Sequence, residues 1–501
     1  MSLAILHSRA KLGIDAPAVT IEAFLSGGLP SFSVVGMPET AVRESKDRVR
    51  SAIICSQLHY PQERITVSLG PADMRKTGGR FDLAIALGIL TAQGVIEQEA
   101  VADTEFYGEL ALNGDIRAVP GVLPAALQAK KAGRSVIVPV DNVVEATLVG
   151  AEVRAARNLL EVIDHLRGEE IIPAAELLSP EASIAEQPDL ADVKGQEHAK
   201  RALEIAAAGS HNLLFIGPPG TGKSMLARRL PGILPPMSTT EALQTAAIDS
   251  VLGVQLDMSH WRQRPFRAPH HTASAAALVG GGAEPRPGEV SRALNGVLFL
   301  DELPEFNRNV LEVLREPLEA GALTISRAGR QADFPARFQL IAAMNPCPCG
   351  YLGDPQGECR CSADRVSNYR GKISGPLLDR IDMHVAVGRP PTELFRSNAP
   401  RGETSAEVAA RVQFARDIQL QRSGICNAQL EGSELARVCS VSEECWLLLE
   451  GAAERFSLSA RGYQRVLRIA RTIADLTRAE TITPPHIAEA LSLRMLDRRS
   501  Y

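Results

Sequence analysis

Gly217, Pro218, Pro219, Gly220, Thr221, Gly222, Lys223 and Ser224 spell the spacing G-x-x-x-x-G-K-S. That spacing is suited to holding phosphate. Glycines let successive backbone N–H groups turn inward onto one anion. Lys223 is placed to neutralise β and γ phosphates, and Ser224 to ligate Mg²⁺. The apolar run 212–216 precedes the loop and the helix-forming run 225–228 follows it. The pattern predicts a buried strand, a phosphate loop and a helix whose positive end faces the same anion.

A second apolar run, 297–300, ends in Asp301 and Glu302. This is a Walker B pattern: the first carboxylate holds Mg²⁺ through its water shell, and the second polarises the attacking water. Its separation from the phosphate loop suits one βαβαβ span. A third run, 338–344, ends in Asn345. Alone, Asn345 reads as a turn cap before Pro346; beside the two other motifs it reads as a sensor of the γ-phosphate. Arg380, in the run 377–382, is either a surface partner of Asp379 or Asp382 or an arginine given to a neighbour's nucleotide.

Four of the eight cysteines crowd into Cys347, Cys349, Cys359 and Cys361, two C-x-C pairs nine residues apart. Four thiolates in a short loop can enclose a structural Zn²⁺, although the usual knuckle is C-x-x-C and a reduced, metal-free loop is the alternative. Residues 323–334 read as a β-hairpin with Arg327 and Arg330 flanking a turn at Gly329. His270 and His271, read as extended, face opposite sides and are assigned no chemistry.

The elements that position these residues follow from patterning. A chain of 501 residues holds two to four domains, and 45% hydrophobic with 23% charged residues fits an ordinary globular core. A net charge of −5 excludes a global basic footprint, so nucleic acid must meet a local patch. No apolar stretch reaches transmembrane length, and the N-terminus is too weakly apolar for a signal peptide, so a cytoplasmic location is expected. Residues 1–168 read as an α/β domain, with a strand at 65–69, a buried helix at 82–90, a helix at 125–132 and a strand at 135–139. The acidic, proline-bearing 169–188 reads as a linker, 189–388 as the nucleotide-binding core, and 389–501 as a helical domain. Its helices are expected at 406–421, 443–456, 461–476 and 485–496.

Together these motifs resemble the AAA+ ATPases, and more narrowly their magnesium-chelatase-like branch. The runs 267–274, 296–306 and 459–476 carry that likeness, and 27–36 narrows it to the competence protein ComM (YifB-type) family. The resemblance covers nearly the whole chain. It implies an N-terminal Lon-protease-like (ribosomal-S5-like) α/β domain, a central AAA+ P-loop NTPase domain and a C-terminal helical lid. It implies a homo-hexameric, ATP- and Mg²⁺-dependent DNA helicase that promotes branch migration in homologous recombination and integration of incoming DNA. Single-stranded, forked or junction DNA and recombination proteins are the implied partners. A chelatase-type motor that remodels a protein partner is the alternative. Arg380 matches the family's arginine finger, Arg461 its sensor-2 arginine, and Gly195 with Gln196 its adenine-side segment. The hairpin with Arg327 and Arg330 would project into the central pore, where repeated guanidinium groups track a phosphate backbone.

The Lon-like likeness invites a Ser-Lys protease dyad, but its positions fall near Gly78 and Leu123, which cannot do that chemistry. Ser68 and Lys76 do not match the motif. The domain is expected to be non-proteolytic, with Lys76 and Arg80 forming a basic loop.

Overall fold

The computed structural model describes residues 2–176, 187–282, 285–327, 330–395, 402–456 and 458–497. The chain divides into two compact units: Met1–Ser183 with Thr239–Trp261, and Ile184–Ser238 with Arg262–Tyr501.

The first unit is built on a seven-stranded mixed sheet. Its order is Ser31–Val35, Arg64–Gly70, Ala18–Ser26, Ser2–Arg9, Thr104–Phe106, Ser135–Pro139, Val153–Ala156. Strand Ala18–Ser26 alternates, so Val19, Ile21, Ala23 and Leu25 share one buried face. Helix Asp82–Ala92 is buried along its whole length. At Gly88 a Cβ would stand 3.1 Å from Ala23 Cβ and 3.2 Å from Leu6 Cδ1, so glycine lets helix and sheet approach closely.

Two features of this unit depart from the sequence reading. Helix Thr239–Leu252, which follows the phosphate loop in sequence, belongs to this unit. Ala246 and Ala247 join the apolar cluster of Val122, Leu123 and Ala126, and the Gly121 amide donates to Ser250 O at 2.7 Å. The run 189–388 read as one core in sequence thus contributes Thr239–Trp261 to the first compact unit. The expected linker also starts within the fold, because the Ala175 amide donates to Val153 O at 2.8 Å; residues 177–186 of it lie outside the described residues.

The expected basic loop at Lys76 and Arg80 is overturned. Both side chains are buried: Lys76 donates to Pro71 O, and the Arg80 guanidinium lies 5.5 Å over the Tyr107 ring. The supposed dyad positions hold a glycine with φ +73° at Gly78 and a fully buried leucine at Leu123.

The second unit carries a five-stranded sheet in the order Phe266–Arg267, Val297–Leu300, Gln339–Met344, Leu213–Ile216, Met383–Ala386, with every pair parallel. Its strands read as near-continuous apolar runs because both faces are covered. The helical region follows as Ser405–Ser423, Gly432–Val438, Glu443–Phe456, Ala460–Leu476 and Pro484–Ser492. The short Gly432–Val438 helix had no sequence expectation, and the last helix stops before 496. Thr404 and Glu407 form a capping box at the start of this region. Buried polar contacts tie the region to the sheet: Arg465 to Asp382 at 3.2 Å, and His211 Nε2 to Thr472 Oγ1 at 2.8 Å. Among the described residues no helix is long and apolar enough to cross a membrane.

Candidate active site

Parallel strands deliver their C-terminal ends to one edge of the sheet, where ligands of open α/β sheets bind. Ile216 is level with Met344 on one side and Ala386 on the other, so Gly217 and Asn345 emerge together. Gly217 is required by space: a Cβ there would stand 2.0 Å from Val387 O. Gly220 and Gly222 have φ +75° and +92°, the left-handed region that glycine occupies freely. Helix Lys223–Ala227 starts directly at the loop. Gln196, itself left-handed at φ +62°, donates to Thr221 O at 3.0 Å and to Gly388 O at 2.6 Å, so the predicted adenine-side segment does reach the loop.

The Lys223 ammonium donates to Gly217 O at 2.7 Å, Pro218 O at 2.8 Å and Asn345 Oδ1 at 3.2 Å. Burial lowers its pKa, while Asp301 and Glu302 oppose that shift. Ser224 Oγ donates to Asp301 Oδ2 at 2.5 Å. Glu302 stands at φ +52°, a strained position for a residue with a side chain, and its amide donates to Asp301 Oδ1 at 2.9 Å. The turn points Glu302 outward, with half of its side chain exposed.

His271 is the residue that sequence reasoning missed. Its Nδ1 lies 3.2 Å from Glu302 Oε2. The segment is not extended there: the Ala273 amide donates to His270 O at 2.9 Å, closing a turn. The two imidazoles therefore lie side by side, with ring centroids 4.1 Å apart. The opposite-face expectation fails because of that turn, which no local spacing announced.

The four cysteine sulfurs lie within 4.8 Å of one another. Cys347 Sγ is 3.4 Å from Cys349 Sγ, and Cys359 Sγ is 3.7 Å from each of those two. Zn–S bonds of about 2.3 Å in a tetrahedron require sulfur separations of about 3.8 Å, so the donor set fits that ion. Backbone N–H groups of Tyr351 and Arg360 stabilise the Cys349 thiolate and pull its pKa down to about 6. The turn presses on the phosphate loop. Gly350, at φ +86°, leaves room where a Cβ would stand 2.7 Å from Pro219 Cδ.

Arg380 and Arg461 occupy another place. Asn212, which immediately precedes the phosphate-loop strand, donates from Nδ2 to Arg380 O at 2.9 Å. Arg380 therefore sits at the edge of the sheet opposite the phosphate loop, across a four-residue strand of about 13 Å. Its guanidinium pairs with Glu319 and donates to Pro376 O at 2.7 Å. Neither Asp379 nor Asp382 takes the partner role considered from sequence. Arg461 Nη2 lies 3.9 Å from the other oxygen of Glu319.

The expected hairpin is present. Strands Ala322–Arg327 and Arg330–Pro335 pair antiparallel, with Arg327 opposite Arg330. Leu323, Ile325, Ala332 and Phe334 form its buried face. The turn residues 328 and 329 lie outside the described residues.

The loop therefore fits a nucleotide polyphosphate, since glycines keep its floor open and a buried ammonium lies within it. The oxygens of Ser224 and Asp301 suit Mg²⁺, which prefers hard oxygen ligands.

Comparison with known proteins finds the chain's matches among magnesium-chelatase-like ATPases. Residues 189–394 match the family described as magnesium chelatase, subunit ChlI, and residues 402–494 match its C-terminal family. Residues 21–142 match the family described as subunit ChlI of Mg-chelatase. The chain is 50% identical over 503 residues to the competence protein ComM of Haemophilus influenzae, covering 99% of this chain and 98% of that one. It is 48% identical over 502 residues to YifB of Escherichia coli, with coverage of 99% and 98%. The magnesium-chelatase 38 kDa subunit of Cereibacter sphaeroides is 25% identical over 341 residues, 61% of this chain and 90% of that one.

Proposed function

This chain belongs to the magnesium-chelatase-like ATPase family that includes ComM and YifB, and on that premise we propose that it is a ring-forming, ATP-driven DNA helicase. In this reading it promotes branch migration during homologous recombination and integration of incoming DNA in natural transformation, and works in the cytoplasm. The full-length relative named for competence supports the process. One observation carries the chemistry: Lys223 bonded to Asn345 and Ser224 bonded to Asp301, at the ends of three neighbouring parallel strands.

ATP with Mg²⁺ supplies the phosphoanhydride whose cleavage drives the motor. The phosphate-loop amides and Lys223 bind the β and γ phosphates. Ser224 and Asp301 hold the ion. Asn345 orients water, and Glu302 takes its proton. Arg380, facing away from its own loop, serves the nucleotide of the next subunit in a hexamer. The hairpins present Arg327 and Arg330 to DNA within the ring. Zn²⁺ at the four cysteines is structural, since all four ligand positions are thiolates and none is left for water.

The chelatase families matched along the chain favour a second reading, a motor that remodels a protein partner. The two separate in one assay series: ATP hydrolysis alone, with single-stranded DNA, with forked DNA and with unfolded protein, followed by branch migration on a four-way junction. The helicase reading expects DNA to stimulate hydrolysis and Glu302→Gln to abolish junction migration. Stimulation by protein but not by DNA would reject it.

A further inference from the structure

Three separate stretches of this chain meet at one carboxylate. Glu319 Oε2 takes the Arg380 guanidinium, from the segment that precedes strand Met383–Ala386, and Glu319 Oε1 faces Arg461, from the first turn of helix Ala460–Leu476. Glu319 itself stands on helix Arg315–Ala320, which passes through Gly321 directly into the first hairpin strand at Ala322. The Ala336 amide, just past the second strand, donates to Gly321 O at 2.9 Å, so helix and hairpin stem form one piece.

The two arginines are held in fixed relation to each other. Arg465, one turn beyond Arg461, reaches Asp382, two residues beyond Arg380, at 3.2 Å, with both side chains buried. Glu319 has no such anchor, and its side chain is 61% exposed. Its two arginines hold its carboxyl below the usual range, Arg380 more strongly than Arg461. The Arg380 side chain is only 12% exposed, so the solvent-facing member of that pair is the carboxylate. The pair with Arg461 is exposed on both sides and correspondingly weak. A guanidinium that donates to a carboxylate can donate to a phosphate through the same N–H groups.

We propose that Glu319 is a positioning residue, a clasp that occupies Arg380 and Arg461 and must be displaced by the phosphates of a neighbouring subunit's nucleotide. The clasp sits at the root of the hairpin, so a shift of the hairpin on DNA moves the carboxylate away from both arginines. DNA engagement and completion of the neighbour's site are thereby coupled through one side chain. This rests on the ring-forming ATPase reading above.

The test uses the full chain with Glu319→Gln and Glu319→Asp. Two quantities are measured: hydrolysis with and without DNA, and ring assembly by sedimentation velocity against a non-hydrolysable ATP analogue. Glu319→Gln is expected to raise DNA-free turnover at least threefold, to shrink the stimulation by DNA, and to lower the analogue concentration for half-assembly by a similar factor. Glu319→Asp, which keeps the charge, is expected to stay near wild type. DNA-free turnover and an assembly midpoint that are unchanged or worsened in Glu319→Gln would overturn the clasp. A wild-type chain that neither hydrolyses ATP nor assembles would overturn the ring reading and the clasp together, whereas an active wild type with an indifferent Glu319→Gln would remove the clasp alone.

Discussion

The two edges of the five-stranded sheet are furnished differently. At the C-terminal edge, Lys223, Ser224, Asp301 and Asn345 are bonded to one another and to the loop, so the cradle is assembled within one chain. At the opposite edge two arginines converge on one exposed carboxylate, and the phosphate loop of the same chain is a strand's length away. The first edge is an assembled cradle; the second holds two arginines paired with Glu319 and no phosphate loop. The difference teaches that one chain assembles its nucleotide cradle without Arg380 and Arg461. Under the proposed ring reading those two complete a neighbour's site, and hydrolysis is then expected to depend on contact between copies.

The sharpest blow to the assembled edge is Glu302→Gln. It keeps the cradle but removes the proton acceptor, so turnover is expected to fall by about 100-fold or more while nucleotide affinity stays; a matching loss of affinity would show that Glu302 builds the cradle as well. On the other side, Arg327→Ala with Arg330→Ala should weaken DNA binding by about tenfold and flatten its salt dependence, leaving DNA-free hydrolysis in place. Salt titration of DNA affinity checks this, and an unchanged slope would detach the hairpin from DNA.

A smaller effect is expected from the cysteine turn. Cys349→Ser should lower bound zinc from about one per subunit to none and raise the KM for ATP severalfold, because the turn abuts Pro219. Elemental analysis alongside kinetics reads both. The mildest change is Gly350→Ala, which retains the metal and adds one methyl at a left-handed position against the phosphate loop. It should raise KM with little change in kcat.

The assembled edge was legible from local spacing. At the other edge Arg380 and Arg461 were singled out only through the family resemblance, and Glu319 was not singled out at all, for a physical reason. The phosphate loop and Asp301 are fixed by local spacing, because a strand, a tight glycine turn and a helix start must follow one another in the chain. The hairpin was legible from β-prone runs on either side of a glycine turn, and its strands bury Leu323, Ile325, Ala332 and Phe334. Glu319 carries no such signature; its partners come 61 residues later at Arg380 and still further on at Arg461. His271 was hidden by a turn that only the folded backbone reveals. Lys76 and Arg80 looked like a basic loop because their burial depends on Pro71 and on the more distant Tyr107. The alanine-rich helix Thr239–Leu252 gives no sign of which unit it will join, since small apolar side chains pack against many surfaces.

The claim that the two edges belong to different nucleotide sites is tested most directly by mixing two inactive variants. Lys223→Ala has a broken cradle and an intact Arg380; Arg380→Ala has the reverse. If Arg380 serves a neighbour, an equimolar mixture rebuilds complete sites at about a quarter of the contacts under random mixing, and ATP hydrolysis should rise well above the sum of the separate variants. Hydrolysis that stays at that sum, in mixed rings verified to contain both chains, would contradict the account.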